Sequence, residues 1–494
     1  MRRFLRKCVT VGLAASLMVG MLTGCKAKET GGKGSVAEPT VAESTNKDES
    51  TNKEESTPTP EPTESADAGE IQFIETPMDL GGRTIKFVTT IISRYTYAEN
   101  KDETSNETLE IIKAIEQIEK DYNCKIEFEQ KKGADLVEAL ITAKAAGDPY
   151  CDILEFGCSD TYLEQIYSAN LVMPLDDPSI KDIIKLDENP WLPASTFGQM
   201  FGNQYGVHFK TNNTGDLLRA VVLFNKNLVE KYDLGNPYEM VKNKTWTFDK
   251  LKELSATITS KSDGSVFPLM YGTEGLYLPM LIYANGGTVT DYTDGKYEFK
   301  GLNDKTLEAL NFAVDMKKNG YTHPKSEVRK EVEGIFANGE AVFYVTNYAS
   351  LKKYTQGTVP ADFEVGLLPG PIGPNSDGEY NAVSYTEALF HVSNNVEKPE
   401  EVAAVLVAFA NRTAKRDMIN TELMNTLQDQ ESAEMLELMY NNMKTDYSRS
   451  IGTSRAAIGE ASKAIMSLEK TPKEAYEELA NSVQAMYDEL ALTK

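Results

Sequence analysis

Apolar positions in residues 84–168 follow two alternating rhythms. TIKFVTT (84–90) is a short apolar run of strand composition, followed by a polar, aromatic loop, IISRYTYAEN. From about Asn106 to Tyr122 the apolar positions Ile111, Ile115, Ile118 and Tyr122 recur at helical spacing. KIEFE (125–129) is the next strand and ADLVEALITAKAAG the next helix. After a GDP turn, DILEF (152–156) is a strand and SDTYLEQIYSAN a helix that Ser159 or Asp160 is placed to cap. Strands alternating with helices predict βαβ units and a largely parallel sheet.

Around YGVHFK (205–210) the rhythm changes and a second set of elements begins. Leu217 to Phe224 reads as a strand that ends in Asn225-Lys226. Asn225 suits the cap of a short helix carrying Leu228, Val229 and Tyr232 inward, which leaves Lys226 in the first turn, pointing to solvent. No histidine, acid pair or glycine-rich loop accompanies that lysine, so Asn-Lys reads as punctuation between strand and helix. TWTFDKLKELSATIT is a helix, with Trp246 at its start as a packing anchor. GTVTDYTDGKYEFKG places a DG turn between alternating residues, the pattern of a hairpin. LNDKTLEALNFAVDMKKNG is a capped helix closed by Gly320, and IFANGEAVFYVTN a helix end leading into a strand. VGLLPGPIGPNSDGEY is a Pro/Gly loop, a strand follows near residues 388–392, and the chain from Glu397 onward reads as almost wholly helical.

The N-terminus has a different character. Arg2, Arg3, Arg6 and Lys7 precede an apolar stretch of 14 residues from Val9 to Leu22, the proportions of a signal peptide rather than a membrane span. Leu22-Thr23-Gly24-Cys25 resembles the lipobox of bacterial lipoproteins, which implies cleavage before Cys25 and lipid on its sulfur. Residues 1–24 are thus expected to be a signal peptide. Residues 25–69, with STNKDESTNKEEST and PTPEPTESA, carry almost no large apolar side chain and read as a disordered tether. A lipid and a polar leash describe a protein held at a membrane through its anchor but working in solution above it.

About 425 residues remain, enough for two domains. The net charge of −24 becomes −28 when the signal's four positive charges leave, which argues against nucleic acid as a partner. Cys8 leaves with the signal and Cys25 is consumed by lipid, so Cys124, Cys151 and Cys158 remain, an odd set. Cys151 and Cys158 flank the DILEF strand and would stand ~23 Å apart at the rise of a strand. That excludes a disulfide or a shared metal between them and leaves buried free thiols as the expectation.

Several segments, in order, resemble the extracellular solute-binding protein family 1 of ABC importers, whose members bind maltose and other oligosaccharides. Gly147-Asp148-Pro149-Tyr150-Cys151-Asp152, ANLVMPLDD (169–177), YGVHF (205–209), FNKNLVEKYDL (224–234) and the stretch from Trp246 to Ile258 carry the likeness. Gly286-Gly287, residues 336–342, residues 366–373 and residues 398–409 continue it, so it extends from about residue 83 to the end. The resemblance implies an α/β fold of two lobes, the periplasmic-binding-protein type II arrangement, with a ligand cleft between them. It places crossings between the lobes near 205–210, 342–346 and 384–389. It assigns 83–206 plus 344–386 to the first lobe and 207–343 plus 387–494 to the second. Ligand is expected at the carboxyl ends of the strands.

A sugar offers apolar C–H faces and many hydroxyls, so a matching site needs aromatic rings and a few orienting polar groups. The loops after the expected strands supply Arg94, Tyr95, Phe156, Ser159, Lys210, Asn212, Glu274, Tyr277, Asn347, Tyr348, Ser384 and Tyr385. Each tyrosine could equally be a half-buried packing residue. The longer KTNNTGD stretch departs from tighter family versions at Lys210 and Asn212. No catalytic residue, metal or cofactor is expected. The expected partners are a small-molecule sugar and the transmembrane permease subunits of an importer, with the protein itself a monomer on the extracellular face of a Gram-positive-type cell membrane. Three alternatives stay open: a binding protein of the same fold for a non-sugar solute such as a polyamine or peptide, a surface glycan-active enzyme, and a sensor or adhesin that serves no permease. Ferric iron is disfavoured because no Tyr-Tyr pair occurs.

Overall fold

The structure, a computed structural model, describes residues 75–156, 162–188, 198–208, 218–326, 329–384, 389–413, 426–449 and 451–492. The expected signal peptide, the lipidated Cys25 and the tether lie outside the described residues. So do Cys158, Ser159, Lys210, Asn212 and Tyr385.

The first strands are β1 (Arg83–Thr89), β2 (Cys124–Gln130) and β3 (Ile153–Phe156), followed by a small hairpin of β4 (Gln199–Met200) and β5 (Asn203–Gln204). Next come β6 (Val221–Asn225), β7 (Phe267–Tyr271), the hairpin β8 (Thr290–Thr293) and β9 (Lys296–Phe299), β10 (Ala341–Thr346) and β11 (Val365–Leu368). The last are β12 (Ala382–Ser384), β13 (Leu389–Val392) and β14 (Met443–Thr445). Two four-stranded sheets organise the molecule, one in the order β13-β3-β1-β2 and the other β11-β6-β10-β7.

In the first sheet β2, β1 and β3 run parallel and β13 joins the edge antiparallel, with Leu389 beside Phe156. Side chains alternate between faces, so Ile85 and Phe87 enter one core with the helices Asn106–Asp121 and Pro399–Thr413. Val88, Leu154 and Phe156 enter another, with Leu136, Leu140 and Ile166 of the helices Gly133–Ala146 and Leu163–Ser168. A sheet covered on both faces demands strands that are apolar throughout, and β3 is buried at every position.

The second sheet is built likewise. Val221, Leu223 and Leu367 face the helices Arg329–Ala337, Ala349–Thr355 and Gln430–Asn441, while Val222, Phe224 and Leu368 face the opposite core. There the helices Phe248–Ser262 and Glu274–Ala284 pack, and Trp246 is fully buried with its indole N–H donating to the Pro369 carbonyl at 3.0 Å.

The strand pairing corrects the expected lobe boundaries. β10, expected as a crossing near 342–346, and β11, expected in the first lobe, both belong to the second sheet beside β6. β13 and the helix Pro399–Thr413, expected in the second, complete the first sheet and its core. Residues 342–346 are therefore a central strand and not a crossing. The reason is topological: β10 has a strand on each side and is buried at all six positions. The chain passes between the two sheets from Val207 to Leu218, from Ser384 to Leu389 and from Thr413 to the helix at Gln430. Antiparallel bridges join Val207 with Phe390 beside the first sheet and Leu218 with Ser384 beside the second.

Lys226 is also corrected. Its ammonium does not point into solvent but lies 2.8 Å from Asp429 and 3.2 Å from Glu364. Asn225 caps the helix Lys226–Lys231 as expected, its Oδ1 accepting from the Leu228 N–H at 3.0 Å. The DG turn is the expected hairpin, with Asp294 and Gly295 both at positive φ. Cys124 and Cys151 are free and buried.

Candidate functional site

Parallel strands bring their carboxyl ends to one edge. In the first sheet that edge carries Thr89, Gln130 and Phe156; in the second it carries Tyr271 and Thr346, with Leu368 alongside. Val207 bridges Phe390 beside the first edge and Leu218 bridges Ser384 beside the second, so the two edges are linked in sequence.

On the first-sheet side, the loop after β1 tightens into a 3-10 turn at Ile92–Arg94. Arg94 reaches back to β3, its guanidinium Nη1 donating to Glu155 Oε1 at 3.2 Å. Glu155 is 1% exposed and also accepts from the Thr89 hydroxyl. Burial pushes its carboxyl above the ordinary range, against the opposing pull of Arg94, Thr89 and Tyr95. Tyr95 is buried, its ring stacked on Phe128 at 4.9 Å and packed on Phe409. Burial, followed by the Glu155 charge, drives its phenol well up. Phe156 is wholly buried in the core. Of the expected residues on this side that the structure describes, Arg94 alone is partly open, and Ile91, Ser93 and Tyr97 of the same loop are exposed.

On the second-sheet side, Glu274 opens the helix Glu274–Ala284 and is partly exposed. Tyr277, one turn on, is fully buried with its ring stacked on Tyr271 at 4.8 Å. Its hydroxyl has no hydrogen-bond partner among the described residues, and burial alone drives the phenol up. Asn347 follows β10 and accepts from the Ser350 N–H at 2.9 Å and hydroxyl at 3.1 Å, starting the helix Ala349–Thr355. Tyr348 is fully buried among Leu218, Tyr344 and Leu351. Ser384 ends β12, with its carbonyl accepting from the Asp446 N–H at 3.1 Å.

Buried Tyr95, Phe156, Tyr277 and Tyr348 thus pack the lobes in this arrangement, while Arg94, Glu274 and Asn347 present polar groups at the two edges. Two further groups were not anticipated. Glu155 sits inside the apolar run DILEF, and a charge within a strand buried on both faces was itself the signal. Asp446 and Arg449 lie in a stretch expected to be helical. β14 instead pairs with β12, and the turn after it brings Arg449 Nη1 to the helix start at Gly275. Asp446 is buried, its Oδ1 accepting from the Ser448 hydroxyl at 2.6 Å. Burial raises its carboxyl, opposed by Ser448 and Arg449. Among the described residues no group of three or more His, Cys, Asp or Glu side chains is placed to hold a metal ion.

A sequence profile of the bacterial extracellular solute-binding proteins matches residues 103–416. No curated protein matches the sequence significantly. Among solved structures, the cyclic α-maltosyl-1,6-maltose binding protein of Arthrobacter globiformis superposes with a TM-score of 0.60 at 15% identity, over 83% of this chain and all of that one. A cyclo/maltodextrin-binding protein complexed with maltotetraose gives 0.58 at 16% identity, covering 82% of this chain and 96% of the other. An ABC substrate-binding protein of Listeria monocytogenes in complex with cycloalternan gives 0.54 at 14% identity, covering 82% and 99%. At these identities the likeness establishes the two-lobed α/β fold.

Proposed function

Because the chain belongs to the bacterial extracellular solute-binding proteins, we propose that it captures a carbohydrate, an oligosaccharide, in the cleft between its lobes and delivers it to the permease of an ABC importer. The observation that supports this reading is that the chain links the carboxyl edges of the two sheets, with the bridge Val207/Phe390 beside one edge and Leu218/Ser384 beside the other. Such a connection lets two rigid lobes rotate about a few backbone torsions, and ligand selects the closed state by binding it more tightly. The sugar is inferred from the ligands of the structural neighbours and from the polar groups of Arg94, Glu274 and Asn347 at the edges. Ser159, Lys210, Asn212, Ser384 and Tyr385 extend the proposed set.

The protein is a binder and not an enzyme in this reading, and acts as a monomer. Cys25, behind Leu22-Thr23-Gly24, carries the lipid that holds it on the outer face of a Gram-positive-type membrane, with residues 26–69 as the leash.

Thermal unfolding of a chain beginning at residue 70 tests the ligand class against mono- and oligosaccharides, polyamines and short peptides. A ligand at 100 times its Kd stabilises the fold by about 2.7 kcal/mol. A midpoint shift with one glycan series supports the reading; flat sugar curves beside a shift with a polyamine or peptide overturn the substrate class.

A further inference from the structure

Glu155 is an unusual residue for its place. It is the third position of a four-residue strand whose every side chain is buried, in the middle of a sheet covered on both faces. An isolated carboxylate there would be expensive, and a leucine or phenylalanine would pack without that cost. The chain instead surrounds it with donors: Arg94 Nη1 at 3.2 Å on one oxygen and the Thr89 hydroxyl on the other. Thr89 Oγ1 in turn accepts from the Ile91 N–H at 3.1 Å, so the same cluster fixes the start of the loop that carries Arg94.

Arg94 is held differently from its partner. Its side chain is 26% exposed while that of Glu155 is 1% exposed, and a guanidinium has five N–H donors in a rigid fork. Glu155 engages Nη1 and the Tyr95 hydroxyl is also hydrogen-bonded to the guanidinium, two contacts that do not exhaust its five donors. The fork stands at the carboxyl edge of the first sheet, next to exposed Ile91 and Tyr97. The rest of the loop carries Glu99, Asp102 and Glu103 against Lys101, so it adds no positive charge to this rim.

We propose that Glu155 is a positioning residue that fixes Arg94 as a charge-neutral donor fork at the cleft edge, selecting hydroxyl-bearing neutral ligands over anionic ones. This rests on the carbohydrate reading and deepens it to neutral glycans rather than uronate- or phosphate-bearing ones. With its charge cancelled from below, Arg94 offers hydrogen bonds to vicinal hydroxyls without the attraction for an anion that a lone guanidinium would exert.

The test is calorimetric titration of wild type, Glu155→Gln and Arg94→Lys with a neutral oligosaccharide that binds wild type and with its uronate-containing counterpart, alongside the melting temperature of each protein. Glu155→Gln is expected to weaken the neutral sugar about tenfold and move the neutral-to-anionic affinity ratio at least as far toward the anion. Arg94→Lys keeps the ion pair but loses the fork, and is expected to lose about tenfold on the neutral sugar while remaining folded, which serves if Glu155→Gln does not fold. An unchanged affinity ratio in a folded Glu155→Gln, or, where that variant does not fold, unchanged binding in Arg94→Lys, makes the pair purely structural. That result overturns the proposal while the carbohydrate reading stands. A wild type that prefers the anionic sugar overturns the selectivity directly. A wild type that binds no sugar of either class overturns both.

Discussion

The Tyr167 hydroxyl lies 2.9 Å from His391 Nε2, and the other nitrogen of that ring, Nδ1, lies 3.2 Å from the Leu154 carbonyl. The ring is fully buried, so one nitrogen donates to the carbonyl and the other accepts from the phenol, the pattern of a neutral imidazole. It also presses on the first passage between lobes. A side chain at Gly206 would put its Cβ 2.6 Å from His391 Nε2, a contact only glycine avoids.

Burial pulls the His391 pKa down to about 4. The unfolded chain therefore binds a proton near pH 6.5 that the folded chain refuses until about pH 4. The stability from this group is complete above pH 6.5 and is lost as pH falls through that window, by up to about 3 kcal/mol. Urea unfolding at pH 7 and pH 4.5 measures the difference, and His391→Gln should remove this share of the pH slope. An equal slope in the variant would mean that the loss arises elsewhere.

Asp429 caps the helix Gln430–Asn441 through the Ser432 N–H at 2.6 Å and receives the Lys226 ammonium and the Tyr238 hydroxyl on its other oxygen. Asp429→Ala is expected to cost about 1–2 kcal/mol in denaturant unfolding, since it removes the cap and the nearer of the two carboxylates that Lys226 contacts. Lys226→Ala should cost less than about 1 kcal/mol, because Asp429 keeps its other donors. Ligand affinity should follow neither change.

Trp246→Phe removes the donor to the Pro369 carbonyl and leaves space against Phe343. A loss of about 2–4 kcal/mol in unfolding free energy is expected, with ligand affinity retained in the folded fraction. A selective loss of binding at unchanged stability would instead make Trp246 a ligand contact.

Cys25→Ser in the full-length chain should release the protein into the medium or leave it with an uncleaved signal. Membrane fractionation and metabolic labelling with a fatty acid distinguish these outcomes from continued, lipid-independent retention.

The local elements were readable because each stretch carries its own period and caps. The helix at Asn106–Asp121, the Asn225 cap and the Asp294-Gly295 turn all fall where the side chains predict them. What the sequence hid was partnership between distant segments. β10 and β13 are short apolar runs of the same character, and nothing within either says which sheet it joins; register with β6 or β3 decides that. The site suffered from the same ambiguity. A tyrosine such as Tyr95 or Tyr277 after a strand can stack on a sugar or on a neighbouring ring, and here Phe128 and Tyr271 occupy that place. β14 escaped notice because three residues between helices carry too short a pattern to register.

The late arrival of β13 bears on when the first lobe can fold. His391 meets Leu154 across 237 positions of sequence, so a chain emerging from the ribosome displays the open edge of β3 until most of its length has been made. Until then the first sheet lacks both its edge strand and the helix Pro399–Thr413 that covers one face. The first lobe therefore cannot complete its sheet or cover both faces until the C-terminal part of the chain has been made.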